Sequence, residues 1–145
     1  PLQITEMTVP AYSDSEEDEN VQAEILKYVY TMFFAHPAME AVIYWNVPDG
    51  YAAFAPQGDM EAGENYYRGG LLRFDLSEKP AYKMLDRLIN HDWHTEGTAE
   101  TASDGTAKIR GFYGDYELII EKDGKEIEAQ TSIRKNGVNC KTFVL

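Results

Sequence analysis

Disulfide bonds within the chain are excluded by its cysteine content, because Cys140 is the only cysteine among 145 residues. A single thiol does not identify the cellular compartment, since many exported proteins lack disulfides. Cys140 belongs to an alternating apolar pattern, and we interpret it as a packing residue rather than a nucleophile.

Positive charge is also scarce. The chain has 13 Lys and Arg against 25 Asp and Glu, which gives a formal net charge of -12 at pH 7. Nucleic acids and anionic lipid surfaces are bound through clusters of Lys and Arg. The sequence therefore predicts no nucleic-acid partner and no membrane partner, whereas a neutral ligand such as a sugar is compatible with it.

Long hydrophobic runs are absent, although 43% of the residues are hydrophobic. A membrane-spanning helix needs about 20 consecutive apolar residues, so we expect a soluble chain of about one domain. The chain has neither an initiator methionine nor a signal peptide, and Pro1 lies next to a predicted strand. We therefore expect further sequence upstream.

The first part of the chain alternates between strand and helix patterns. Residues 2–8 and 41–45 each predict a strand, and residues 20–35 have apolar side chains at helical spacing. Asn20 is a suitable N-cap, and Pro37 ends the helix. This order predicts a βαβ unit with parallel strands. The helical stripe that we expect to be buried is Val21, Ile25, Val29 and Phe33, with Leu26 and Met32 beside it.

A long polar and glycine-rich segment, residues 46–70, follows the second predicted strand. Loops of this length inside a compact domain tend to be functional. Ser77 is predicted to cap a second helix, in which Pro80 is tolerated in the first turn. The buried stripe of that helix is expected to be Ala81, Leu85, Leu88 and Ile89.

Turn signals and strand patterns dominate the sequence after Trp93. The dipeptides Asp104-Gly105, Asp123-Gly124 and Asn136-Gly137 separate segments of alternating apolar residues. They predict a small antiparallel module of about four or five strands. The predicted domains are therefore 1–96, built of βα units, and 97–145, all β.

Candidate site residues lie where the predicted parallel strands end. Glu6 is at the end of the first strand and Trp45 at the end of the second, and Asp49, Tyr51 and Phe54 follow in the long loop. Ligands of βα folds are bound at the carboxyl ends of the strands. A carboxylate beside aromatic faces is typical of a sugar site. The residues alone leave an alternative open, in which Glu6 faces solvent and Trp45 is a core residue.

Several motifs in the same order resemble the last quarter of glycoside hydrolase family 10, the endo-β-1,4-xylanases. The segment DGTAKIRGFYGDYELIIEKDGK is similar to the β extension that follows the barrel in some members. The matching motifs are Thr5-Glu6, Trp45 to Asp49, Leu71 to Asp75, and Lys79 to Tyr82.

This resemblance implies an α/β fold, the C-terminal part of a (β/α)8 TIM barrel followed by a small antiparallel β-sandwich-like module. It implies a secreted or periplasmic retaining endo-1,4-β-xylanase that hydrolyses xylan or xylo-oligosaccharides without cofactor or metal. Glu6 would be the nucleophile, acting with a second carboxyl group about 5 Å away. Trp45, Asp49, Tyr51 and Phe54 would contact the substrate, and for Asp49 we also expect a role in ordering the loop.

Two departures from the family pattern qualify this expectation. The acid/base Glu of the family follows an Asn, and no Asn-Glu pair occurs here. The chain would thus contain half of the catalytic pair, be inactive alone, and need the missing N-terminal part of the barrel as its partner. Exposed strand edges would favour self-association of the fragment. The family's second tryptophan is also replaced, by Ala53 or Phe54.

A second hypothesis assigns the chain to another class, a non-catalytic carbohydrate-binding or structural module whose β tail is the working part. Glu6 beside Trp45 favours the enzyme, because a binding module does not need the carboxylate. His91 and His94, with Asp92 between them, have metal-like spacing, but their place at a helix end favours a structural role.

Overall fold

Two parallel strands joined by a helix form the first part of the computed structural model, which describes residues 1–144. Ile4 lies opposite Val42 and Met7 opposite Tyr44 in this parallel pairing. The strand–helix–strand order predicted from the sequence is thereby confirmed. The three elements are β1, Leu2–Met7; α1, Glu16–Ala35; and β2, Met39–Tyr44.

Helix α1 begins one turn earlier than its apolar pattern predicts. Its N-cap is Ser15, whose hydroxyl oxygen accepts a hydrogen bond from the Asp18 N–H at 3.2 Å. The four acidic residues that follow Ser15 lie near the positive end of the helix dipole, where negative charge is stabilising. The predicted cap, Asn20, is therefore an interior residue of the helix.

A second helix, α2, spans Pro80–Arg87 and continues into a π-helical turn at Leu88–Asp92. Pro80 lies in the first turn, as predicted, but the predicted cap Ser77 lies outside the helix. Its hydroxyl oxygen instead accepts a hydrogen bond from Arg73 Nη1 at 3.3 Å. The long loop before α2 contains one 3₁₀ helix, Gly63–Tyr67.

The hydrophobic core of this first unit lies between α1, α2 and the end of β1. Its buried members are Val9, Ala23, Leu26 and Ala81. The buried stripe predicted for α1 is only partly correct, because Leu26 is fully buried whereas 53% of Val21 and 43% of Ile25 are exposed. In α2 the prediction holds for Ala81, Leu85 and Leu88 but not for Ile89, which is exposed.

The chain divides after Asp92, and a second unit begins at Trp93. It contains an antiparallel hairpin of β3, Gly114–Lys122, and β4, Lys125–Ile133. The connecting turn is the predicted Asp123-Gly124, and both residues have positive φ, as this tight turn requires. The predicted division into 1–96 and 97–145 stays a prediction, and its last residue, Leu145, lies outside the described part of the chain.

The fold-class prediction is corrected by these elements. Residues 1–144 form two α-helices and two separate two-stranded sheets, and no TIM barrel is present among them. In a barrel each strand is paired on both edges, whereas within residues 1–144 β1 and β2 pair only with each other. The β-sandwich-like module is likewise reduced to one hairpin in the described residues.

Helices α1 and α2 are not membrane-spanning candidates. Across residues 1–144, no helical segment combines the length and the apolar character that crossing a bilayer demands.

Candidate functional site

Glu6 and Trp45 lie at the same edge of the parallel sheet, where β1 and β2 end. The Trp45 backbone N–H donates to the Met7 carbonyl oxygen at 2.8 Å, which fixes the two strand ends side by side. Glu6 is exposed, and 40% of Trp45 is exposed. The sequence prediction that these two residues share one edge is confirmed, while their chemical roles stay predictions.

A third residue, Glu64, joins this edge from the 3₁₀ helix. Its Oε2 accepts hydrogen bonds from Trp45 Nε1 at 3.0 Å and from Asn46 Nδ2 at 2.9 Å. These two bonds hold the pKa of the Glu64 carboxyl group below its usual value, and the bond from Asn46 has the larger effect. Sequence reasoning missed Glu64, because nothing in the loop pattern distinguishes it from its acidic neighbours.

Asp49 is buried and has a structural environment. Its Oδ2 lies 3.0 Å from Lys79 Nζ, and its Oδ1 accepts a hydrogen bond from the Gly70 N–H at 2.7 Å. Lys79 Nζ also donates to the Arg68 carbonyl oxygen at 2.8 Å. These contacts hold both ends of the long loop together, which is the ordering role expected for Asp49.

The two predicted loop aromatics have different surroundings. Tyr51 packs against Phe74 with ring centroids 5.3 Å apart, whereas Phe54 is fully exposed with φ of 65°. A positive φ is costly for a bulky residue. The structure thus brings Glu6 and Trp45 to one edge, and substrate binding by Asp49, Tyr51 and Phe54 stays a prediction.

His91 and His94 have the spacing of metal ligands in the sequence. Within the described residues, no group of three or more His, Cys, Asp or Glu side chains is arranged to hold a metal ion.

A second exposed surface is the apolar stripe of α1, formed by Val21, Ile25, Val29 and Met32. These positions recur at helical spacing and therefore lie along one side of the helix. Val21, Ile25 and Met32 are exposed, and Val29 is half-buried. The first part of this stripe lines a shallow groove with Asn20, Tyr28 and three carboxylates, Glu16, Glu17 and Glu24.

The α1 stripe lies beside a different face that packs into the core. Glu19, Gln22, Ala23 and Leu26 form the buried face, and Glu19 is neutralised by Arg73, whose Nη2 lies 2.5 Å from its Oε2. Glu19 precedes the helix predicted at residues 20–35, so the predicted buried stripe includes Leu26 of this face but not Glu19. An ion pair across 54 positions leaves no local signal.

Comparison with known proteins identifies a relative but no family. No protein-family model matches the chain. The chain is 25% identical over 128 residues to the anti-sigma-I factor RsgI6 of Acetivibrio thermocellus, an alignment that covers 86% of the chain. The chain spans only 14% of the length of that relative.

These findings correct the functional predictions drawn from the resemblance to xylanases. The relative is named as an anti-sigma-I factor, not as a glycoside hydrolase. The recognition as a family 10 fragment, the xylanase activity, the xylan substrate and the missing barrel partner are therefore wrong. The motifs misled because short motifs at strand ends and helix starts can also stabilise the fold, as the buried ion pair of Asp49 and Lys79 does here.

Proposed function

We propose that this chain is a module of an anti-sigma-type regulatory protein and that it binds a protein, a sigma factor. The observation that carries the proposal is the alignment with the anti-sigma-I factor, which extends over 86% of the chain. Because that alignment covers 14% of the relative, the module would supply one part of the regulator's activity.

The charge of the chain supports this choice of partner. Proteins that contact DNA, as sigma factors do, present clusters of Lys and Arg. A chain with a formal net charge of -12 is attracted to such a surface, and complementary charge speeds association.

The exposed surface of the first unit also supports a protein partner. Contiguous apolar residues on a helix surface, bordered by charged groups, are typical of protein–protein contacts. The α1 stripe has this composition, with Val21, Ile25 and Met32 exposed and Glu24 beside them.

The test is isothermal titration calorimetry of the full chain with the sigma-I-type factor of the organism that encodes the chain. We expect a 1:1 complex whose affinity falls by at least tenfold between 50 and 300 mM salt, because the attraction is electrostatic. An unrelated acidic protein of similar size and net charge is the control and should not bind. Absence of heat at 100 µM of both proteins would refute the proposal.

A further inference from the structure

The α1 stripe is an exposed apolar surface that could bind a partner. A surface helix packs one apolar face onto the core, and α1 does so through Ala23 and Leu26. The stripe from Val21 to Met32 is a second apolar face, displaced from the first. It covers about three helical turns, or about 16 Å along the axis.

The groove at the start of the stripe combines apolar and acidic groups. Its lining residues all belong to α1: Val21, Ile25 and Tyr28 supply apolar surface, and Glu16, Glu17 and Glu24 supply carboxylates. The acids of the first turn have a helical reason to be there, since they stabilise the N-terminus. Glu24 lies beyond the first turn and forms an exposed ion pair with Lys27 on the same helix, with Glu24 Oε1 and Lys27 Nζ 3.7 Å apart.

We propose that the α1 stripe is a docking surface for an amphipathic helix of a protein partner, with apolar residues on one face and Lys or Arg beside them. The length and the apolar character of the stripe fit a partner helix of about three to four turns. The carboxylates at its border fit basic flanking residues. This inference rests on the proposed function in that the occupant is a protein.

Two other occupants fit the same charges less well. A second copy of the chain would bring another net charge of -12 to an acidic groove, and like charges repel. An anionic lipid surface would be repelled in the same way.

The test uses the full chain and two synthetic helical peptides with the same leucine face, one flanked by Lys and Arg and the other by Glu. Two-dimensional ¹H–¹⁵N NMR should show shifts confined to α1 with the basic peptide. The acidic peptide should bind at least tenfold more weakly. No binding of the basic peptide, or shifts that lie mainly outside α1, would overturn the inference.

Variants locate the surface. The double changes Val21→Ser/Ile25→Ser and Glu17→Lys/Glu24→Lys should each weaken peptide binding at least tenfold while leaving the far-ultraviolet circular dichroism unchanged. The matched controls are Ile119→Ser, at a residue that is 73% exposed on β3, and Glu126→Lys/Glu128→Lys on β4. These controls should bind as the wild type does. Equal losses in the controls would contradict a specific surface.

The same variants separate this inference from the proposed function. If the chain binds the sigma factor and Val21→Ser/Ile25→Ser binds it equally well, the inference fails and the proposed function stands. If the sigma factor does not bind but the basic peptide binds at α1, the proposed function fails and the docking surface stands. A dimer in sedimentation that Val21→Ser/Ile25→Ser abolishes would identify a second copy as the occupant and overturn the inference.

Discussion

Lys79 and Asp49 form a buried ion pair, with Nζ and Oδ2 3.0 Å apart and only 1% and 6% of their side chains exposed. Both charges have further partners, since Asp49 accepts from the Gly70 N–H and Lys79 donates to the Arg68 carbonyl oxygen. The pair therefore links the start of α2 to both ends of the long loop. Such a pair is costly to disrupt, because a lone buried charge is left behind.

The change Lys79→Met tests this role. It should lower the free energy of unfolding by about 3–5 kcal/mol, since Asp49 would stay buried without its cation. Urea denaturation followed by circular dichroism measures the loss. Lys83→Met, at an exposed position of α2, is the control and should change stability by less than about 0.5 kcal/mol. Similar values for the two variants would show that the pair contributes little.

The two faces of α1 can be compared by truncating adjacent residues. Leu26→Ala should cost about 2–5 kcal/mol, because Leu26 is fully buried among Val9, Ala23 and Ala81. Ile25→Ala should cost less than about 1 kcal/mol, because Ile25 is exposed on the α1 stripe. Thermal unfolding of both variants gives the comparison. Equal costs would mean that the stripe is covered within the chain itself.

Local sequence patterns predict where helices and strands occur better than they predict which face of each element is buried. The helical spacing of α1 and the strand pattern around Ile4 and Val42 gave the βαβ order, and Asp123-Gly124 gave the hairpin turn. Those features depend on neighbours in sequence. Which side of α1 is buried depends instead on Arg73, which pairs with Glu19 from 54 positions away.

The candidate site at the ends of β1 and β2 also depends in part on residues that are distant in sequence, and these could not be predicted. Glu6 and Trp45 could be placed together, because the carboxyl ends of parallel strands meet at one edge. Glu64 could not be placed there from the sequence, because its contact with Trp45 depends on how the long loop folds. The motif at Asp49 predicts substrate contact and a role in ordering the loop, yet its partner Lys79 can be identified only in three dimensions.

The hydrogen bonds to Glu64 predict a pH effect at Trp45. The pKa of Glu64 is held below its usual value by Asn46 and Trp45, so these bonds are present at neutral pH and are lost as the pH falls through the lowered pKa. The indole N–H resonance of Trp45 should therefore shift in NMR spectra only at a pH below the ordinary pKa of a glutamate side chain. Glu64→Gln should remove this shift, and Glu61→Gln should leave it unchanged. A shift that survives in Glu64→Gln would assign it to another group.

Tyr44 predicts an effect at alkaline pH. Its hydroxyl group donates to the Gly69 carbonyl oxygen at 2.7 Å, and burial raises its pKa to about 12. Between pH 10 and 12 the unfolded chain would release the phenol proton while the folded chain keeps it. The stability contributed by Tyr44 is therefore complete below pH 10 and decreases as the pH rises towards 12.

The variant Tyr44→Phe separates this effect from the titration of other groups. At pH 8 it should be less stable than the wild type by about 1–3 kcal/mol, because the Gly69 carbonyl and the Val9 N–H lose their partner. At pH 11 the gap should be smaller, since only the wild type loses stability through this phenol. Urea unfolding at both pH values measures the gap. Tyr12→Phe, at a fully exposed position, should show no gap at either pH, and a gap that stays constant for Tyr44→Phe would refute the raised pKa.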